Sequence, residues 1–176
     1  MINKFAPTWM VDVIYNVTPA QLKAQGIKAV LTDLDNTLIA WNNPEGTNEL
    51  RQWLRDLEQA GIPLIVVSNN SEERISKAVA PLGAQYVSRA LKPLTRGIKQ
   101  AIRQLNLDPS EVVMVGDQLM TDVWAANNAG VRSILVKPLI ETDQWNTRIN
   151  RFIEKPVKRS MLKKFPNLKW MDKIND

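Results

Sequence analysis

The stretch Thr32-Asp33-Leu34-Asp35-Asn36-Thr37-Leu38 sets two carboxylates two residues apart, directly after the apolar run Ile27–Leu31. A short apolar run of this kind, bounded by polar residues, reads as a buried strand. Acids at the end of a buried strand are costly to desolvate unless a cation or a reaction uses them. The pair therefore points to metal-assisted chemistry at the mouth of a sheet.

Working outward, strand and helix signals alternate. Thr47 or Asn48 can cap a helix that carries Leu50, Trp53, Leu54 and Leu57 on one face and ends at Gly61. Ile62–Val67 is a second apolar strand, closing on Ser68-Asn69-Asn70. Ser71, followed by Glu72 and Glu73, starts a helix with the stripe Ile75, Ala78, Val79 and Leu82, stopped by Gly83. Gln85–Ser88 is a short strand, and Lys92-Pro93 precedes a helix with Leu94, Ile98, Ala101, Ile102 and Leu105 on one side. After the turn Asp108-Pro109-Ser110, Glu111–Val115 is a strand running into Gly116-Asp117. Thr121–Ala129 reads as helix and Val131–Val136 as the last clear strand. Strands spaced by single helices predict a three-layer α/β/α fold around a parallel sheet, with ligands at the carboxyl ends of the strands. Asp33, Asp35, Ser68, Asn69 and Asp117 all fall at such ends, and Lys92 lies in the loop after the short fourth strand.

Composition narrows the chemistry. With 176 residues and 44% apolar content the chain suffices for one domain, Met1–Asp176, with a proper core. It holds no cysteine and no histidine. Disulfides, thiolate nucleophiles, a Ser-His-Asp triad and imidazole-ligated metals are excluded together. Catalysis must run on Asp, Glu, Lys, Ser, Thr, backbone and a hard cation. No run of 18 apolar residues predicts a membrane span and no secretory signal is evident. Together with the missing cysteines, this gives the expectation of a cytoplasmic protein.

Charge is uneven. The overall +5 resides in the tail: Arg148–Asp176 holds nine basic and three acidic residues. The segment 140–176 reads as a basic extension with helical stretches, suited to anionic lipid at the inner membrane face or to nucleic acid. A solvated tail that aids solubility is the alternative. In segment 1–26, Trp9, Met10, Val13, Ile14 and Val17 stand at rough helical spacing and are expected to pack on the body, with a membrane-touching amphipathic element as the other reading. Trp41, Trp53 and Trp124 read as packing residues; Trp41 is set apart from the other two because it lies just beyond the first acid pair.

Four clusters in order carry a resemblance across residues 27–136. Asp33-Leu34-Asp35-Asn36-Thr37 matches D-x-D-x-T, Ser68 closes an apolar strand, Lys92-Pro93 follows, and Gly116-Asp117-Gln118-Leu119-Met120-Thr121-Asp122 supplies an acidic last motif. Together they resemble the haloacid dehalogenase (HAD) superfamily of phosphotransferases. The chemistry is coherent. Asp33 can attack phosphorus and form an aspartyl phosphate, and a divalent cation must separate that carboxylate from an anionic phosphate. The resemblance implies Mg²⁺ held by the Asp33 carboxylate, the Asp35 backbone carbonyl and the Asp117 carboxylate. It implies Asp35 as general acid and base, with Thr37 fixing it. Ser68, Lys92 and the amides of Asn36 and Asn69 would hold phosphoryl oxygens, and Asp122 would serve the metal's water shell or Lys92. Each has a plainer reading: helix caps for Ser68-Asn69, a surface lysine for Lys92, a turn former for Asp117, a dipole-favoured helix acid for Asp122.

The gaps from Leu38 to Ser68 and from Asn69 to Lys92 are each consumed by one helix and one strand, and an added lid domain usually needs about 50 residues. No cap domain is expected, and the site should lie open to a bulky substrate. That arrangement resembles subfamily IIIA. Within it the segments around Gly26–Leu38 and Gly116–Asp122 are similar to bacterial and mitochondrial phosphatidylglycerophosphate phosphatases, which implies a phosphorylated lipid substrate. A phosphatase for nucleic-acid 3′-phosphate ends and a non-catalytic basic binding module are the alternatives.

Overall fold

The computed structural model describes residues 2–40, 42–140 and 145–174, without the side chains of 145–151. Trp41, singled out above, and the Trp145 side chain lie outside the described residues. The elements are β1 (Trp9–Val11), α1 (Pro19–Ala24), β2 (Ala29–Thr32), α2 (Asn48–Gln59), β3 (Leu64–Val67), α3 (Glu72–Val79), β4 (Gln85–Val87), α4 (Arg96–Leu105), β5 (Val112–Gly116), α5 (Trp124–Ala129), β6 (Arg132–Val136), α6 (Trp145–Lys164) and β7 (Trp170–Met171).

The strands form one sheet in the order β4-β3-β2-β5-β6-β1-β7, and every pairing is parallel. Because side chains alternate across a strand, each strand feeds two cores. Val30, Val66, Val113, Val115, Ile134 and Val136 face one side, where Leu22 of α1, Leu50, Trp53 and Leu57 of α2, and Ile75 and Val79 of α3 cover them. Ala29, Leu31, Ile65, Val67, Val112 and Met114 face the other, under Ile98, Ala101 and Ile102 of α4 and Ala125 and Ala126 of α5. Met161 of α6 packs on that second side with Met10 and Leu135. The three-layer α/β/α arrangement is as expected, and among the described residues the chain between Leu38 and Lys92 forms α2, β3, α3, a 3-10 turn (Ala80–Leu82) and β4.

The helices start where the sequence provides acceptors. Thr47 accepts from the Leu50 N–H at 3.2 Å to open α2, and Ser71 accepts from the Arg74 N–H to open α3. Thr18 and Gln21 form a reciprocal cap on α1. The chain goes from β2 outward to β3 and β4, then returns to β5 on the other side of β2. That reversal between β2 and β5 is the topological switch point where ligands bind in such sheets.

Both termini depart from the sequence reading. Trp9, Met10 and Val11 are a strand, not part of a helix, and lie between β6 and β7. All three are buried; a strand covered on both faces shows no alternation, so a helical spacing was easily read across it. The tail is helical as expected but firmly placed. Met161 and Glu154 of α6 are buried, and β7 pairs with β1 through Met10–Trp170 and Val11–Met171. Leu94, expected on the buried stripe of α4, precedes that helix and is 62% exposed. Among the described residues no helix is long and apolar enough to cross a membrane.

Candidate active site

The register of β2 on β5 builds the site. Thr32 stands opposite Val115, and the Asp33 N–H donates to the Val115 carbonyl at 2.9 Å. The acid after β2 and the acid after β5, 84 positions apart, are thereby brought to one place. Asp33, Asp117 and Asp122 each offer a carboxylate oxygen, all within 4.8 Å of one another, and all three residues are buried.

Lys92 locks this group. Its Nζ donates to Asp33 Oδ1 and to Asp122 Oδ1, both at 2.7 Å, and its side chain is 2% exposed. Burial alone would lower the ammonium's pKa, but the charges of Asp122 and Asp33 and their hydrogen bonds more than reverse this and raise it. Burial pushes the Asp122 carboxyl up to about 6; Lys92 pulls it back and the Asp33 charge adds to the rise. One ammonium shared by two buried acids satisfies neither as fully as a private partner would.

Asp122 is carried on a π-helical turn, Leu119–Val123, that precedes α5; such turns recur at functional positions. Its second oxygen accepts from the Gln118 N–H at 3.1 Å. The Asp122 side chain packs directly on Gly116: a Cβ there would stand 2.3 Å from it, so the Gly of Gly116-Asp117 is required by close approach. Glu154, reaching across from α6, accepts from the Met120 N–H at 2.8 Å and braces the same turn.

The other expected residues are placed as follows. The Thr37 hydroxyl donates to Asp117 Oδ1 at 3.1 Å, so it orients that acid and not Asp35. The Asn36 amide donates to the Ile39 carbonyl at 2.7 Å, closing its own loop instead of facing a phosphoryl oxygen. Asn36 takes the left-handed conformation, φ 59°, which Asn tolerates. The Asn69 side chain clasps the backbone of Lys92, accepting from its N–H at 2.8 Å and donating to its carbonyl at 3.0 Å. It thus sets the lysine's position. Ser68 is buried, and its hydroxyl accepts from the Asn70 N–H at 3.2 Å.

The Asp35 carboxylate is not among the three clustered acids and is partly exposed. Asn70 Nδ2 donates to its Oδ2 at 2.9 Å, and the Arg74 guanidinium donates to both oxygens at 3.0 and 3.1 Å. Sequence reasoning assigned no role to Asn70, Arg74 or Glu154. Asn70 lay inside the quoted Ser68-Asn69-Asn70 cluster; Arg74 sits one turn into α3, on the side facing the site. Glu154 gave no signal, since one acid in a basic tail reads as solvated.

Three hard oxygen donors clustered beside a buried ammonium fit a metal site for a hard cation. A parallel α/β sheet whose switch point gathers such acids is the arrangement of a hydrolase that works through carboxylates. Residues 5–130 match the haloacid dehalogenase-like hydrolase family, and the chain belongs to it. Over 171 residues it is 37% identical to "Probable phosphatase YqeG" of Bacillus subtilis (strain 168), covering 97% of this chain and 99% of that protein. It is 26% identical over 132 residues to "Phosphatidylglycerophosphate phosphatase 1, chloroplastic/mitochondrial" of Arabidopsis thaliana, covering 70% of this chain and 38% of that one. The fold is shared with the crystal structure of a HAD phosphatase from Thermococcus onnurineus, with a TM-score of 0.55 at 19% identity over 68% of this chain and 90% of that one.

Proposed function

We propose that this hydrolase, a phosphatase, is a IIIA-type, Mg²⁺-dependent phosphomonoesterase acting on phosphatidylglycerophosphate or a closely similar lipid head group. The observation that carries the catalytic reading is the convergence of Asp33, Asp117 and Asp122 around Lys92 at the β2–β5 switch point.

Asp33 is the nucleophile. Its oxygen attacks phosphorus and the bond from phosphorus to the leaving alcohol breaks, giving an aspartyl phosphate. Asp35 gives a proton to the departing oxygen, then takes one from the water that attacks the intermediate. The bond from phosphorus to Asp33 breaks in that second step, releasing inorganic phosphate and restoring the carboxylate. Lys92 holds Asp33 in place and offers positive charge to the phosphoryl oxygens, and the Ser68 hydroxyl donates to them. The carboxylates of Asp33 and Asp117 and the backbone carbonyl of Asp35 would hold the cation, and Asp122 would serve its water shell or Lys92; Thr37 orients Asp117. A Mg²⁺ ion held there would screen the repulsion between nucleophile and phosphate.

Three features support a lipid substrate. The chain resembles the Arabidopsis protein named above. Among the described residues no separate lid lies between Leu38 and Lys92. Leu91 and Leu94, 49% and 62% exposed, flank Lys92-Pro93 as an apolar rim, and Phe152 and Ile153 are exposed on the basic helix α6. Such residues beside lysines and arginines suit an anionic bilayer surface at the cytoplasmic side. The test is phosphate release from phosphatidylglycerophosphate in anionic vesicles. Asp33→Asn should lower it by about 10⁴-fold or more, and a chelator should abolish it until Mg²⁺ is restored. Wild-type protein with Mg²⁺ that turns over no lipid phosphate would end the lipid assignment; an active Asp33→Asn would end the mechanism.

A further inference from the structure

We infer that Arg74 reads the substrate: its guanidinium leaves Asp35 to grip a phosphodiester that lies a few bonds from the phosphate being removed. The inference rests on the catalytic roles proposed above and deepens them by naming what the substrate must carry.

Asp35 must meet the leaving oxygen. Whatever is attached to that oxygen therefore continues outward past the Asp35 carboxylate toward solvent. The cation waiting there is Arg74. It donates to both Asp35 oxygens and to Asn70 Oδ1 at 3.3 Å, while the Asn70 N–H donates to the Ser68 hydroxyl. Arg74 is thus one residue removed from Ser68, a residue proposed to hold the phosphoryl group.

The pair is built to be exchanged. The side chains of Arg74 and Asp35 are 43% and 34% exposed, against 2% and 1% for Lys92 and Asp122. Exposed ion pairs are weak, so a second anion competes for the guanidinium with little loss. Phosphate esters match its planar fork through two parallel hydrogen bonds, which an ammonium cannot offer. Both Asp35 oxygens accept from Arg74, and Oδ2 accepts from Asn70 as well, so departure of Arg74 frees the carboxylate to serve a leaving oxygen. A substrate that draws Arg74 onto its own diester makes that release; a bare phosphomonoester does not. In a glycerol-bridged lipid head group the diester sits three carbons from the monoester, within an arginine's reach.

The test compares two soluble phosphomonoesters with the full chain and Mg²⁺: glycerophosphoglycerol phosphate, the deacylated head group with its diester, and glycerol 3-phosphate, without one. In wild type the first should have kcat/KM about tenfold higher or more, the size of a charge-assisted hydrogen-bond pair. Arg74→Gln should bring that ratio close to one, and Arg74→Lys should leave it in between. A wild-type ratio near one, or an Arg74→Gln that lowers both substrates in proportion, overturns the inference; the second result is what a merely positioning role would give. If Arg74→Gln does not fold, wild type alone decides: glycerophosphoglycerol should inhibit competitively where glycerol does not, and equal failure of both overturns the inference. Hydrolysis of vesicle phosphatidylglycerophosphate with an unaltered ratio sinks Arg74 recognition and leaves the lipid assignment standing. A 3′-phosphorylated dinucleotide that outperforms the lipid head group, with the same dependence on Arg74, keeps the diester grip and overturns the lipid.

Discussion

Two cation–carboxylate groups share this site and behave as opposites. Lys92 bridges Asp33 and Asp122 at 2.7 Å in the interior; Arg74 meets Asp35 at 3.0 Å in contact with solvent. The distances are similar and the settings are not. In the interior an ion pair is held by the absence of alternatives, since neither partner has water to return to. At the surface water and other ions compete on nearly equal terms. The lesson is that hydrogen-bond length does not tell a permanent brace from an exchangeable clasp; burial does.

The largest effect that could break this contrast is at Lys92. Lys92→Ala leaves two buried carboxylates without their cation and should cost about 3–5 kcal/mol of folding stability, read from urea unfolding without metal. Added Mg²⁺ should recover part of the loss. Next comes pH. Burial raises the Asp122 carboxyl from its ordinary 3.8 to about 6, so the folded form binds the proton more tightly than the unfolded chain. The group's stabilising contribution is therefore complete below 3.8 and lost as pH rises through 6. In metal-free protein the stability of wild type relative to Asp122→Asn should fall across that window; a flat difference would show that Lys92 already compensates Asp122 fully. Glu154→Gln keeps the shape but weakens the acceptor for Met120, and Glu154→Ala removes it. The alanine variant should cost about 1–3 kcal/mol and lower kcat more than KM, because the turn it braces carries Asp122. The smallest effect belongs to the solvent-facing clasp. Arg74→Ala should change stability by under about 1 kcal/mol; a loss equal to that of Lys92→Ala would erase the distinction.

What was legible in the sequence follows the same division between local and remote causes. β2, β3, β5 and β6 each announce themselves as apolar runs bounded by turn residues, and the polar residues at the ends of β2, β3 and β5 could be placed from the parallel-sheet rule alone. β1 and β7 could not. They are three and two residues long, and their pairing joins the two ends of the chain. The functions of Thr37, Asn69, Arg74 and Glu154 were equally hidden, because each is set by a partner elsewhere. Thr37 meets Asp117 across 80 positions, Arg74 meets Asp35 across 39, and Glu154 meets Met120 across 34. Motif spacing identifies which side chains do chemistry; it does not say which ones aim them.

The bond from Met120 to Glu154 bears on how the chain becomes a working whole. All four sequence clusters are already written by Asp122, and a fragment stopping soon after β6 would display every one of them. It would still lack the strut that steadies the final acid, together with β7 and the Met161 plug. The bracing of the final acid is thus tied to α6, and a copy cut after β6 would carry the signature without the rigidity.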